Sequence, residues 1–210
     1  IPGLEIWMNH EETKKYDGLG LRLKNAKTGG TYWGVNTTGD CGRSMAADID
    51  PNYPGYEMWG HIGSSTAQNH VYAFDGTPIS TNVPSYTFGI WWDGDLSREL
   101  LNRTVIDKWS PNLKRANLLF AAQTHAPVTH NNGTKATPAL TADLFGDWRE
   151  EVIFRAEDEQ RLYIFTTDHV TDKRLVTLMH DPQYRVAVAW QNSGYNQPPY
   201  PSFFLGNDMP

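Results

Sequence analysis

Several common features are scarce in this chain, and each shortage excludes something. There is one cysteine, Cys41, so no disulfide can form within the chain. That fits a reducing compartment or a disulfide-free secreted bacterial protein. No apolar run approaches the roughly 18 residues that a membrane-crossing helix requires, so no membrane partner is expected. Basic residues are the minority: 18 Lys and Arg against 24 Asp and Glu leave a formal charge of −6. A nucleic acid is therefore disfavoured as partner, because its phosphates would be repelled. CxxC and paired-histidine spacings are missing, which argues against zinc. Helical periodicity is weak. Leu100 to Trp109 could hold a turn or two, but Val105 and Ile106 suit a strand as well. The chain starts at Ile1-Pro2 with no signal-peptide pattern, so it reads as a piece of a longer protein whose compartment is not directly legible.

What the chain does contain is a recurring acidic turn. Asp48-Ile-Asp50-Pro-Asn52-Tyr-Pro-Gly55-Tyr leads to Glu57 and a short apolar run. Trp91-Trp-Asp93-Gly94-Asp95-Leu-Ser-Arg leads to Glu99, and Asp143-Leu-Phe-Gly146-Asp147-Trp-Arg-Glu leads to Glu151. Pro2-Gly3-Leu4-Glu5-Ile6-Trp7 repeats Pro54-Gly55-Tyr56-Glu57-Met58-Trp59, so the chain opens inside a copy lacking its acidic front. The glutamates Glu5, Glu57, Glu99 and Glu151 lie 52, 42 and 52 residues apart. Such a period belongs to solenoids and propellers, and predicts one continuous array of about four units. Short strands divided by Gly, Pro and Asp turns predict an all-β fold. Examples are residues 4–8, Leu21–Leu23, Thr31–Val35, Asn69–Phe74, Glu151–Phe154 and Arg161–Phe165. Two to four strands per unit, closed in a circle, would make a β-propeller. Val186–Trp190 also alternates as a strand would. Two long polar stretches, Val35 to Ala47 and Ala121 to Pro138, are the loops expected to carry function.

Oxygen ligands at alternate positions with a following glutamate suit a hard cation such as calcium. The candidate ligands are Asp48, Asp50, Asn52 and Glu57 in the first full turn. The second offers Asp93, Asp95 and Glu99, and the third Asp143, Asp147 and Glu151. The spacing is not that of an EF-hand, and the turns join strands instead of helices. The plainer reading is an Asp-rich β-turn whose carboxylates bond backbone N–H groups. Either role is structural.

Longer motifs carry a resemblance. Trp33-Gly-Val-Asn-Thr-Thr-Gly-Asp-Cys-Gly-Arg43 with Met45-Ala-Ala-Asp-Ile-Asp50 resembles the rhamnogalacturonan lyases of polysaccharide lyase family 11. Asn132-Gly-Thr-Lys135, Ala142-Asp-Leu-Phe-Gly-Asp-Trp-Arg-Glu-Glu151 and Ser202-Phe-Phe-Leu-Gly206 add to it. The resemblance implies an eight-bladed β-propeller with bound calcium, of which residues 1–210 would supply about four C-terminal blades and a closing tail. It also implies calcium-dependent β-elimination at galacturonate in rhamnogalacturonan I, the backbone of a plant cell-wall pectin. The partners it implies are this polysaccharide and the N-terminal half of the propeller, and the location a secreted or periplasmic one. It places sugar contacts at Asn132, Gly133 and Thr134, with a tail asparagine at Asn196 or else Asn192, and basic residues of the reaction centre at Lys135 and Arg43.

Elimination removes the proton α to a uronate carboxylate and expels the 4-O sugar. The carboxylate charge must be neutralised and a base must reach the proton. Arginine keeps its charge and suits the carboxylate clamp, so Arg43 takes that role. Lysine becomes a base where a nearby cation lowers its pKa, so Lys135 takes the other. His125 and His130 are competing bases. Trp91, Trp92, Tyr195 and Tyr200 are candidates to stack on sugars, although most tryptophans of such a fold are core residues. Two other classes compete. One is a non-catalytic calcium-binding propeller for glycan binding or adhesion, which has no need of a paired Arg43 and Lys135. The other is a two-carboxylate hydrolase, disfavoured because the acidic residues are committed to the repeated turns.

Overall fold

The structure, a computed structural model, describes residues 3–64, 68–193 and 197–209. The repeat read from the sequence is visible in it: Glu5, Glu57, Glu99 and Glu151 each open a strand, one in each of four antiparallel sheets. The first sheet is β1 (Glu5–Asn9), β2 (Leu19–Asn25) and β3 (Thr31–Asn36). The second is β4 (Ser44–Ala47), β5 (Glu57–Gly60), β6 (Val71–Tyr72) and β7 (Pro78–Ser80). The third is β8 (Phe88–Ile90), β9 (Glu99–Asn102), β10 (Val105–Ser110) and β11 (Arg115–Ala121). In the fourth, β14 (Glu151–Ala156) pairs with β12 (Val128–Thr129), β13 (Leu140–Ala142) and β15 (Leu162–Phe165).

Alternation along each strand sends successive side chains to opposite faces. In β9, Leu100 joins Met45, Ile49, Trp59, Val71 and Trp109 in a core shared with the second sheet. Its neighbour Leu101 joins Phe88, Ile106, Val128, Val152 and Phe154 in a core shared with the fourth. Sheets therefore pack face to face in a sandwich-like manner. This corrects the propeller expectation. The all-β reading holds, but the four sheets are separate antiparallel units, and the described residues close into neither a propeller ring nor a barrel. A period of 42–52 residues reports the repeated supersecondary unit. It does not report how the units close, which long-range packing decides.

A second correction concerns the tail. Val186–Trp190, read as a strand, belongs to the helix α1 (Pro182–Trp190). Asp181 caps it by accepting from the N–H groups of Gln183 and Tyr184, and Pro182 occupies the first turn, where its missing N–H costs nothing. Tyr184, Leu178, Leu205, Trp91 and Trp148 form a further core under this helix. The tail then crosses to the first acidic turn. A Cβ on Gly206 would stand 2.3 Å from Asp48 Oδ2, so only glycine permits the approach.

Candidate functional site

The loop holding Asn132, Gly133, Thr134 and Lys135 is closed at its base by two backbone bonds. Asn131 N–H donates to Thr137 O at 2.7 Å, and Thr137 N–H donates back to Asn131 O at 3.2 Å. Between them lies a single 3-10 turn, Gly133–Lys135. Asn132 (φ 60) and Ala136 (φ 53) are both left-handed. L-residues pay roughly 1–2 kcal/mol for that conformation, asparagine less than most. The bend presents Asn132, Gly133 and Thr134 to solvent and leaves Lys135 half-buried. Asn132 Nδ2 donates to Thr137 Oγ1 at 3.1 Å, and Arg155 Nε donates to Asn131 Oδ1 at 3.0 Å, bracing the loop against β14.

Arg43 follows Gly42, whose φ of 56 turns the chain into β4. Its Nη1 donates to the Lys135 carbonyl at 2.9 Å, joining segments 92 residues apart. The two basic residues singled out in the sequence are thus brought together. Asn196 and Tyr195 lie outside the described residues. Asn192, the other tail asparagine, is exposed and donates from Nδ2 to Ala139 O at 2.5 Å.

The competing candidates are placed as follows. Cys41 is fully buried against Thr37 Oγ1, and burial pushes its thiol pKa up. His125 stacks on Phe120 with ring centroids 5.2 Å apart. His130 Nδ1 lies 3.1 Å from Asn131 O, beside the loop. Trp91 and Trp92 are core residues. Tyr200 is turned inward: its hydroxyl donates to Ala46 O at 2.9 Å and its ring stacks under buried Arg98 at 4.6 Å.

In all three acidic turns the glutamate braces the loop. Oε2 of Glu57 accepts from Ile49 and Asp50 N–H, both at 2.9 Å. Oε2 of Glu99 accepts from Trp92 and Asp93 N–H at 2.6 and 3.3 Å. Oε2 of Glu151 accepts from Leu144 and Phe145 N–H at 2.8 and 3.1 Å. The remaining oxygens differ. Asp48 accepts from the Asn207 backbone N–H and side-chain amide at 2.5 and 3.0 Å. Asp50 accepts from Lys114 Nζ and Trp109 Nε1 at 2.8 and 3.0 Å, and from the backbone and side-chain N–H groups of Asn52. Asp93, Asp95 and Glu99 converge to within 4.8 Å of one another. The Lys108 ammonium reaches all three carboxylates at 2.9, 2.7 and 2.5 Å. Asp143 accepts from Gly146 N–H, Thr177 Oγ1 and Leu178 N–H at 2.7–2.8 Å. Asp147 pairs with Arg149, and Glu151 Oε1 accepts from Thr166 Oγ1 at 3.0 Å. Glu57 Oε1 is the exception, buried without a hydrogen-bond partner among the described residues. Desolvation raises the Glu57 carboxyl to about 8 and Asp48 to about 6.

Beside the 131–137 loop opens a cavity of about 730 Å³ that sequence reading missed. Thr134 and Ala136 form part of its wall, with Tyr86, Asn102, Arg103, Asp107 and Arg115. No linear motif marks it, because its walls come from four separate segments of the chain.

Comparisons agree on one family. The model of the C-terminal domain of rhamnogalacturonan lyase family 11 matches residues 1–210. Two proteins of Bacillus subtilis (strain 168) are similar: rhamnogalacturonan endolyase YesW, 53% identical over 210 residues, and rhamnogalacturonan exolyase YesX, 48% identical over 219. Each match covers 99% of this chain but 32% and 35% of the relative. The crystal structure of YesW superposes with a TM-score of 0.91 at 49% identity, covering 100% of this chain and 34% of that one. The chain therefore spans about a third of the length of the curated relatives it matches.

Proposed function

The chain belongs to rhamnogalacturonan lyase family 11, as the C-terminal domain of that family, and from this premise we propose that it is part of a pectin-degrading enzyme that cleaves the rhamnogalacturonan I backbone by β-elimination at galacturonate. The observation that carries the site is the 2.9 Å bond from Arg43 Nη1 to the Lys135 carbonyl, which holds a fixed cation beside a lysine on an exposed, braced loop. In this reading Arg43 neutralises the uronate carboxylate, so the negative charge that builds up as the α-proton leaves is less costly. Lys135 takes that proton as the general base. Asn132, Gly133 and Thr134 present amide, backbone and hydroxyl groups to sugar hydroxyls, with Asn196 adding a contact from the tail. A polymeric wall substrate calls for an enzyme outside the cytoplasm, secreted or periplasmic.

Calcium belongs to the same proposal, and the first acidic turn suits it best. The candidate ligand atoms there are all oxygen, as a hard cation requires, and Glu57 Oε1 is buried with no hydrogen bond among the described residues. Glu57, with side-chain and carbonyl oxygens of Asp48, Asp50 and Asn52, would hold the ion, which when bound neutralises the buried carboxylates. Protein donors reach the aspartates of all three turns, Asn207, Lys114 and Trp109 in the first, Lys108 in the second, and Arg149, Thr177 and the Leu178 N–H in the third, so Glu57 Oε1 is what sets the first turn apart.

The test uses the full-length enzyme carrying this chain. Digestion of rhamnogalacturonan I is expected to leave an unsaturated uronate, read as rising ultraviolet absorbance. Lys135→Ala is expected to lower that rate by about a hundredfold or more, the scale of a lost general base, at unchanged melting temperature. Saturated chain ends would make the protein a hydrolase. Full activity in Lys135→Ala would move the base to His125 or His130.

A further inference from the structure

Resting on the lyase reading, we infer that the cavity beside Thr134 is an additional subsite, taking a uronate of the polymer away from the bond being cut. Its position is set by direct contacts with the candidate site. The turn between β9 and β10 places Arg103 in the left-handed region (φ 57), and its N–H donates to Ala136 O at 3.1 Å. That bond ties the cavity wall to the 131–137 loop. On the other side the Tyr86 ring faces His61 at 6.1 Å, and the His61 N–H donates to the Arg43 carbonyl at 2.8 Å. The cavity thus borders the lysine loop directly, through Thr134 and Ala136, and connects to the arginine segment through Tyr86 and His61.

Its chemistry selects an acidic sugar. Arg103 and Arg115 are exposed at the wall, and among the described residues neither guanidinium has an ion-pair or hydrogen-bond partner. A guanidinium offers planar paired donors that match a carboxylate, which a galacturonate supplies. Asp107 also faces the cavity. Its carboxylate opposes an anion, but two cations outnumber it, and it can accept from sugar hydroxyls as Asn102 can. The Tyr86 ring offers an apolar face for a deoxy sugar such as the rhamnose that alternates with galacturonate. About 730 Å³ is within the range of pockets that enclose ligands of one or two sugar rings.

The experiment compares a short oligosaccharide of the alternating backbone, filling only the positions around the cleaved bond, with one several repeats longer. The full-length enzyme, Arg103→Gln, Arg115→Gln and the double variant are assayed on both. For the longer substrate KM is expected to rise on the order of tenfold in the double variant, the loss of one charge-assisted contact, with kcat nearly unchanged. Kinetics on the short substrate should be those of the parent. Because both arginines are exposed, added salt should raise the parent's KM for the long substrate and barely affect the double variant. Equal losses on both substrates, or no loss on the longer one, would overturn the subsite. If the parent yields only saturated ends, the lyase reading falls and the subsite with it. If the parent makes unsaturated product but the double variant matches it throughout, the subsite alone falls.

Discussion

Glu57 is the residue where the structure's electrostatics are least settled. One carboxylate oxygen is saturated by two backbone N–H groups and the other has no hydrogen bond among the described residues. Burial is the largest influence and lifts its pKa from 4.5 to about 8; the two N–H bonds pull it back in part, and Asp48 and Asp50 push it up. A raised carboxyl pKa means that the folded state binds the proton more tightly than the unfolded one. Its contribution to stability is therefore complete below about pH 4.5 and is lost as pH rises through about 8. In chelator, the full-length enzyme is expected to melt at a lower temperature near pH 8 than near pH 5, and Glu57→Gln to show a shallower decline, by an amount on the order of a few kcal/mol. Added calcium should raise the melting temperature of the parent near pH 8 and do little for Glu57→Gln. Parallel pH profiles for the two proteins would remove Glu57 as the cause, and indifference to calcium would leave a purely hydrogen-bonded turn. At this scale the sequence was readable in residue type but not in partner. The alternating acids could be found by eye. That Lys108, Lys114 and Asn207 would fill their free oxygens depends on strand register and tail docking, which no local pattern encodes.

Strand β10 shows the same limit and the same physics one level up. Its alternation sends Lys108 into the acidic turn of its own sheet and Trp109 to Asp50 of the neighbouring sheet. The bulge between Ile106 and Asp107 resets the register just before. Lys108 lies among three carboxylates and its pKa is raised well beyond the usual lysine range; burial opposes that shift, and Glu99 and Asp95 outweigh it. Glu99 is fully buried, so removing the ammonium leaves buried negative charge without compensation. Lys108→Ala is expected to destabilise the full-length enzyme by about 3 kcal/mol, the low end for a broken buried pair because Asp95 is exposed. Denaturant midpoints measure this. Calcium should restore more stability to Lys108→Ala than it adds to the parent, since three carboxylates within 4.8 Å would then have no cation of their own. A variant as stable as the parent would mean that the turn holds without its lysine. Strand positions were legible where a motif glutamate was followed by apolar residues, as at β5 and β14, whereas Leu100 to Trp109 was left open between a helical turn and a strand and forms β9 and β10. Helix α1 was not: Val186-Ala-Val-Ala-Trp190 alternates like a strand, and the stronger signal was the Asp181-Pro182 cap just before it.

On the scale of the whole molecule, the inner sheets share cores on both faces while the outer ones do not. Leu4 (60% exposed) and Ile6 (47%) stand in or beside the first sheet, and Leu162 (65%) and Ile164 (55%) lie on β15 of the last. Apolar residues clustered at both ends of a stacked-sheet unit mark surfaces that a further element covers. The occupant proposed is the rest of the longer chain, since this chain matches a C-terminal domain and about a third of its relatives. The four-unit repeat was readable because each unit restates its acidic turn. Its closure was not, because packing between surfaces far apart in the chain decides it, and no local pattern encodes that. Residues 1–210 expressed alone should therefore self-associate and bind a hydrophobic dye. Both properties should be lost when the preceding part of the full-length protein is co-expressed and captured with it. Replacing Ile6 and Ile164 by lysine should reduce self-association of the isolated chain and weaken capture of the preceding part, because burying an unpaired ammonium is costly. A monodisperse, dye-free isolated chain that captures nothing would show instead that the outer sheets are stable in water and that the unit stands by itself.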